Sequence, residues 1–231
     1  MRALLVTATD TEVGKTVLAA ALCARLRADG VAVRAHKPVV TGLDDAAPPG
    51  GRDHELLAAC TGQRPEEVAP TTYGPPVSPH LAAEFAGERL DPADLRAAAR
   101  AAGDGAEALV VEGIGGLLVP FTRAGYDVRA LAVDLALPLV VAVRPGLGTI
   151  NHARLTVEAA RAAGLDVRAV VVTPWDGGDA RQEDNRRTIA ELVAPVPVHV
   201  LPRAELTPAE LAAAAADLPV ASWLAPRPAT R

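Results

Sequence analysis

Short, nearly continuous apolar runs recur down the chain, and each is separated from the next by an Ala-rich helical pattern. The runs fall at Ala3–Ala8, Ala32–Val40, Ala108–Val111, Leu139–Val143, Arg168–Thr173 and Val196–Leu201. A strand that is apolar throughout, instead of at every second residue, is covered on both faces, as in a parallel sheet. The helical patterns lie at Lys15–Ala28, His54–Ala59, Pro92–Ala102, Val128–Leu135, Asn151–Ala163, Arg181–Val193 and Pro208–Ala216. Gly30, Gly103 and Gly164 stand just past three of them, where a left-handed cap is wanted. Asp91-Pro92 and Thr207-Pro208 read as an N-cap followed by the first helical residue. This alternation predicts a three-layer α/β fold, a mainly parallel twisted sheet with helices on both faces and right-handed crossovers.

The chain has 231 residues, half of them hydrophobic and 22% charged, which suits one large domain with a sizeable core. That domain is expected over residues 1–224, with 225–231 a frayed tail carrying two prolines. Two Pro/Gly-rich segments, 43–52 and 69–80, read as loops of a length often used for lids or binding walls. A net charge of -5 argues against a nucleic-acid partner, which requires a basic face. Cys23 and Cys60 are far apart in sequence and show no metal-ligand spacing, consistent with a reducing cytoplasm and no disulfide. The longest apolar stretch, Leu131 to Val143, is interrupted by Asp134 and Pro138, so no membrane span is expected.

Of the 23 basic residues only Lys15 and Lys37 are lysines, leaving 21 arginines. An ammonium enters a tight loop as a compact point charge where the planar guanidinium does not fit. Lys15 lies in Thr9-Asp10-Thr11-Glu12-Val13-Gly14-Lys15-Thr16, between the first apolar run and the first helical pattern. That is the strand–loop–helix context of a phosphate-binding loop, in which backbone N–H groups and the helix dipole cradle an anion. Lys15 would reach the β- and γ-phosphates and the Thr16 hydroxyl would meet Mg²⁺. The loop departs from the ordinary spacing, with Ala8 and Thr9 where a glycine is usual. It carries an insert, Asp10-Thr11-Glu12, suited to facing a second ligand across the phosphates.

Lys37 follows the second run, and ligands of open parallel sheets bind beyond the carboxyl ends of strands. It is expected beside the phosphate loop, as a second cation for a γ-phosphate or substrate oxyanion. Glu112 ends the third run before Gly113-Ile114-Gly115-Gly116, where a carboxylate usually holds Mg²⁺ directly or through water. Asp53 reads equally as a metal carboxylate and as a plain first-turn acid. Gly146-Leu147-Gly148-Thr149-Ile150-Asn151-His152 opens another helix, whose free N–H groups suit a carboxylate.

The loop at 9–16, Lys37-Pro38-Val39-Val40-Thr41-Gly42, Ser78-Pro79-His80, Val111–Gly116 and Leu147–His152 occur in the order and spacing of one family, and the chain resembles dethiobiotin synthetase over most of its length. The resemblance implies a P-loop NTPase type fold and a homodimeric enzyme that uses ATP, Mg²⁺, 7,8-diaminononanoate and CO₂ or bicarbonate. Lys37, Lys15 and Thr11 are then catalytic. Glu12, Val13, Gly14, Lys15, Thr16 and Val17 contact the nucleotide, with Glu112 and Gly115 beside it. Thr16, Asp53 and Glu112 hold the metal. Thr41 and the Gly115-Gly116 backbone lie along the diamine, and Gly148, Thr149, Ile150 and Asn151 take its tail carboxylate from the neighbouring subunit. Ala8 stands where the family has glycine, which demands a negative φ or costs on the order of 1 kcal/mol. Ile114 replaces a small residue and narrows the substrate wall. Thr173-Pro174 replaces the family's Asn-Asp for base recognition, implying a relaxed base preference with Leu201, Pro202 and Arg203 as the other wall. The rival families are cobyrinic acid a,c-diamide synthase, for whose glutaminase domain the chain is too short, and partition-type positioning ATPases, whose signature lysine is replaced here by Asp10.

Overall fold

A computed structural model describes residues 2–48 and 50–225. Six strands, β1 (Arg2–Ala8), β2 (Val33–His36), β3 (Ala108–Glu112), β4 (Leu139–Val143), β5 (Val167–Trp175) and β6 (Val198–Pro202), form one sheet. Their order is β2-β3-β1-β4-β5-β6, and every pairing is parallel. The helices are α1 (Lys15–Ala28), α2 (Asp53–Thr61), α3 (Pro65–Val68), α4 (Pro79–Phe85), α5 (Pro92–Ala102), α6 (Val128–Asp134), α7 (Thr149–Ala162), α8 (Ala180–Val193), α9 (Pro208–Ala214) and α10 (Val220–Leu224).

Alternate strand residues feed two cores. Leu4, Val6 and Ala8 of β1 join Val110 and Ala142 in the layer covered by α1, α2, α9 and α10. Leu5, with Val111 and Val141, faces the layer built by α4 to α8. Both faces are thus dry, which is why the strands read as unbroken apolar runs. Helix α1 packs against the sheet and against its layer neighbours α2 and α9, with Leu18 and Leu22 wholly buried. Each such leucine contributes about 2 kcal/mol of burial.

The second run is shorter than expected. The strand ends at His36 because the chain leaves the sheet there: Lys37 N donates to Val68 O at 2.8 Å, and Pro38 has no N–H to continue a ladder. Val40 instead pairs with Thr72 in an isolated parallel bridge. Gly30 and Gly164 take the expected left-handed conformation, whereas Gly103 caps α5 with φ -87. Asp91 and Thr207 cap their helices through Ala93 N and Glu210 N as anticipated. Short helices α3, α4 and α10 were not anticipated, and α4 occupies the end of the expected loop 69–80. Of the tail expected at 225–231, all but Ala225 lies outside the described residues. Among the described residues no helix is long and apolar enough to cross a membrane.

Candidate active site

The strand order sets the carboxyl ends of β2, β3 and β1 side by side, at the roughly 4.8 Å spacing of neighbouring strands. Lys37 follows the first, Glu112 ends the second, and the loop leading to Lys15 and Thr16 follows the third. Gly14, the last loop residue, has φ +89, and a Cβ there would fall 3.2 Å from Thr173 Cγ2. A side chain there would be strained by the backbone and crowded by Thr173. Glu12 has φ 55, a left-handed conformation uncommon outside glycine. Ala8 needs no such conformation. It ends β1 opposite Ala142, and among the described non-glycine residues only Glu12 and Ala136 have positive φ.

Glu112 is fully buried, and its Oε1 accepts from Thr16 Oγ1 at 2.7 Å, Lys37 Nζ at 2.8 Å and Lys15 Nζ at 3.2 Å. Lys37 also donates to Asp53 Oδ2, at the first position of α2. The expectation that Lys37 reaches the phosphate loop is met, since it is 2% exposed and meets Lys15 on one carboxylate. Burial alone would lower the Lys37 pKa, but the Glu112 and Asp53 charges override it and raise the value. For Lys15, desolvation wins over the attraction of Glu112, and the pKa falls. Asp53 is pulled down to about 2, because Lys37 outweighs the upward push of burial.

Above this cluster opens a cleft of about 350 Å³, lined by Thr11, Glu12, Gly14, Lys15, Thr16, Val17, Lys37, Thr41, Asp53 and Gly115 among others. It runs on into a cleft of about 710 Å³, with Thr11, Glu12, Val40, Thr41, Asp53, Ile114 and Gly115 common to both. Of the loop insert, Thr11 and Glu12 face the clefts, whereas Asp10 turns to Arg144 at 3.0 Å. Val13 is buried in the core. The Gly116 backbone runs close to the carbonyls of Ala8 and Thr9.

An AAA domain family model matches residues 2–208. The ATP-dependent dethiobiotin synthetase BioD of Pseudomonas aeruginosa (strain UCBPP-PA14) is 40% identical over 219 residues, covering 92% of this chain and 95% of that protein. The enzyme of the same name from Mycobacterium avium (strain 104) is 40% identical over 228 residues, covering 97% and 98%. The chain belongs to the dethiobiotin synthetase family.

Solved structures extend the likeness to the fold alone. A ParA family ATPase from Chlorobium tepidum TLS superposes with a TM-score of 0.54 at 11% identity, covering 96% of this chain and 93% of that one. Cyanthece apo McdA gives 0.55 at 11%, covering 97% and 96%. The partition-type alternative therefore keeps only a shared P-loop α/β architecture, while relatives about 40% identical are dethiobiotin synthetases.

The residues fit the Mg²⁺ that the dethiobiotin synthetase family implies. Thr16 hydroxyl, Asp53 and Glu112 are hard oxygen donors, and Glu112 Oε2 is buried without a hydrogen-bond partner. Other family positions lie elsewhere. Thr173 packs on Gly14 and Pro174 follows it. Leu201 is wholly buried in the core, leaving Pro202 and Arg203 at the surface, with Arg203 Nε on Asp176 at 2.6 Å. Gly148, Ile150 and Asn151 line a separate cleft of about 490 Å³, which shares no residue with the other two, and Thr149 is buried beside them. Pro76, Val77 and Arg52 of the larger cleft had no assigned role, although the Pro/Gly loops that carry them were singled out as candidate walls.

Proposed function

We propose that this chain is an ATP-dependent dethiobiotin synthetase acting on 7,8-diaminononanoate and CO₂. One substrate amine adds to CO₂, losing a proton, to give a carbamate. A carbamate oxygen attacks the γ-phosphorus of ATP and ADP leaves. The second amine attacks the carbonyl carbon of the resulting mixed anhydride, phosphate leaves, and the ureido ring closes with loss of a further proton.

The observation that carries this reading is the buried Lys37 ammonium, held by Glu112 and Asp53 beside Lys15. A carbamate brought against a triphosphate gathers several negative charges, and two fixed ammonium groups lower the cost of bringing them together. Lys15 acts on the phosphates and Lys37 on the oxygens passing between carbamate and phosphorus. Thr11, where the two clefts meet, hydrogen-bonds the carbamate. Glu12, Val13, Gly14, Thr16, Val17 and Gly115 form the nucleotide cradle. The diamine lies along Thr41 and Gly116. Thr16, Asp53 and Glu112 would hold Mg²⁺, which when bound would supply charge neutralisation for the transfer.

We further propose that one domain over residues 1–224 works in the cytoplasm as a homodimer. Gly148, Thr149, Ile150 and Asn151 then receive the tail carboxylate of the substrate bound by the neighbouring subunit. The nucleobase meets Thr173, Pro174, Pro202 and Arg203, none with the side-chain amide whose donor and acceptor lie side by side to single out adenine, so base preference is relaxed.

Phosphate release with ATP, GTP and CTP tests these points together. Release is expected to depend on added diaminononanoate and bicarbonate, and all three nucleotides are expected to support it. Lys37→Gln is expected to lose most ring closure while ATP binding, followed by calorimetry, persists. Near-normal ring closure by that variant refutes the role of Lys37, and strict ATP dependence refutes the relaxed base preference.

A further inference from the structure

The segment after Lys37 forms one wall of the larger cleft and is built as a paired strip. Val40 N donates to Thr71 O at 3.0 Å and Tyr73 N to Val40 O at 2.8 Å. Beyond them Gly42 N, Leu43 N and Asp44 N donate to Pro75, Tyr73 and Gly74 carbonyls at 3.0, 3.2 and 2.8 Å. These bonds use the donors of residues 42–44 and leave carbonyls on the opposite side. One side chain takes them. Arg52 Nη1 donates to Gly42 O at 3.0 Å, and Arg52 Nη2 donates to Leu43 O at 2.9 Å and Asp45 O at 2.8 Å.

Arg52 is also the N-cap of α2, adjacent to Asp53. Its backbone N–H donates to Glu55 Oε2 at 2.8 Å, and its carbonyl accepts from Glu55 N and Leu56 N. One residue thus joins the helix that presents Asp53 to the strip that presents Thr41. The guanidinium also ties Arg52 back to Asp45, seven residues earlier in the chain. Two residues before Arg52, Gly50 runs close to Leu206, with whose side chain a Cβ there would collide.

We propose that Arg52 is a positioning residue for the diamine: by clamping the carbonyls of Gly42, Leu43 and Asp45 it holds the Thr41 wall at a set distance from Asp53 and Lys37. The proposal rests on the dethiobiotin synthetase reading. Only a planar fork with several donors spans three carbonyls, and an ammonium at the same place meets fewer. A wall held before substrate arrives spares the ordering cost of binding, so its loss falls on substrate affinity more than on turnover.

Arg52→Ala and Arg52→Lys test this. Arg52→Ala is expected to raise the KM for diaminononanoate about tenfold or more, with kcat within about threefold and ATP affinity unchanged. Arg52→Lys lies between it and the unaltered chain. Amide hydrogen exchange at residues 42–44, measured without any ligand, is expected to be faster in Arg52→Ala. The proposal is overturned if KM and exchange are both unchanged, or if kcat, ATP affinity and thermal stability fall together in Arg52→Lys. Absence of diamine-dependent turnover in the unaltered chain would sink the functional reading instead, and the exchange comparison would still decide the clamp.

Discussion

His36 and Lys37 are consecutive and both buried, yet they meet opposite electrostatic surroundings. Two carboxylates hold Lys37 charged, whereas desolvation drives the His36 pKa from 6.5 down to about 4. His36 is therefore neutral in the folded chain at pH 6, where the unfolded chain already binds a proton. Folding stability attributable to this ring is complete above the unfolded value and is lost as pH falls from about 6.5 towards 4, at about 1.4 kcal/mol per pH unit for one proton. His36→Leu should flatten urea-midpoint profiles across that window, and an unchanged slope would show that the ring is not responsible. At this scale the two lysines were legible because lysine is scarce in the chain, and scarcity pointed to use. Nothing around His36 in the sequence announced its burial, which arises from tertiary packing. The tolerance of Ala8 was likewise settled only by its place at the end of β1.

Strand β2 lies at the edge of the sheet, where unpaired backbone groups invite another strand. Here one side chain substitutes for a neighbour. Gln63 Oε1 accepts from Ala35 N at 2.6 Å, and Gln63 Nε2 donates to Ala35 O at 3.2 Å. Gln63→Ala leaves both groups unpaired in a half-buried place, and an equilibrium unfolding measurement should find a loss of about 1–2 kcal/mol. A change below a few tenths would mean that water replaces the amide without cost. The elements themselves were largely legible, since Pro92–Ala102 and Leu139–Val143 occur with the bounds their patterns predicted. Helices α3 and α10, of four and five residues, are too short to show a 3.6-residue period. Helix α4 did carry a signal, because Ser78-Pro79 is an N-cap followed by proline in the first turn, but the prolines before it read as loop.

Taken whole, the molecule assembles its centre from three pieces of chain that are remote in sequence. Glu112 lies 97 residues from Lys15 and 75 from Lys37, and strand order alone makes them neighbours. No local pattern encodes that order; the motifs foretold it only through the chemistry they would need to share. Helix α7 carries the other family motif away from this centre, next to Leu147, fully exposed, and Leu155, 57% exposed. Apolar side chains flanking a cleft that does not join the first suit a second copy of the chain. Sedimentation should give a dimer, and Leu155→Arg should shift it towards monomer while raising the diamine KM and sparing ATP affinity. A fully active monomer would count against the shared site.

Because the surface carries its positive charge almost entirely on guanidinium groups, the only two side-chain amines in the molecule converge on one carboxylate. Reagents selective for primary amines consequently meet, apart from the chain's own α-amine, nothing but this one cluster. Isotopic methyl groups attached to those nitrogens would give a spectrum of a single locality, free of background from the exterior. The chain comes with its own reporter.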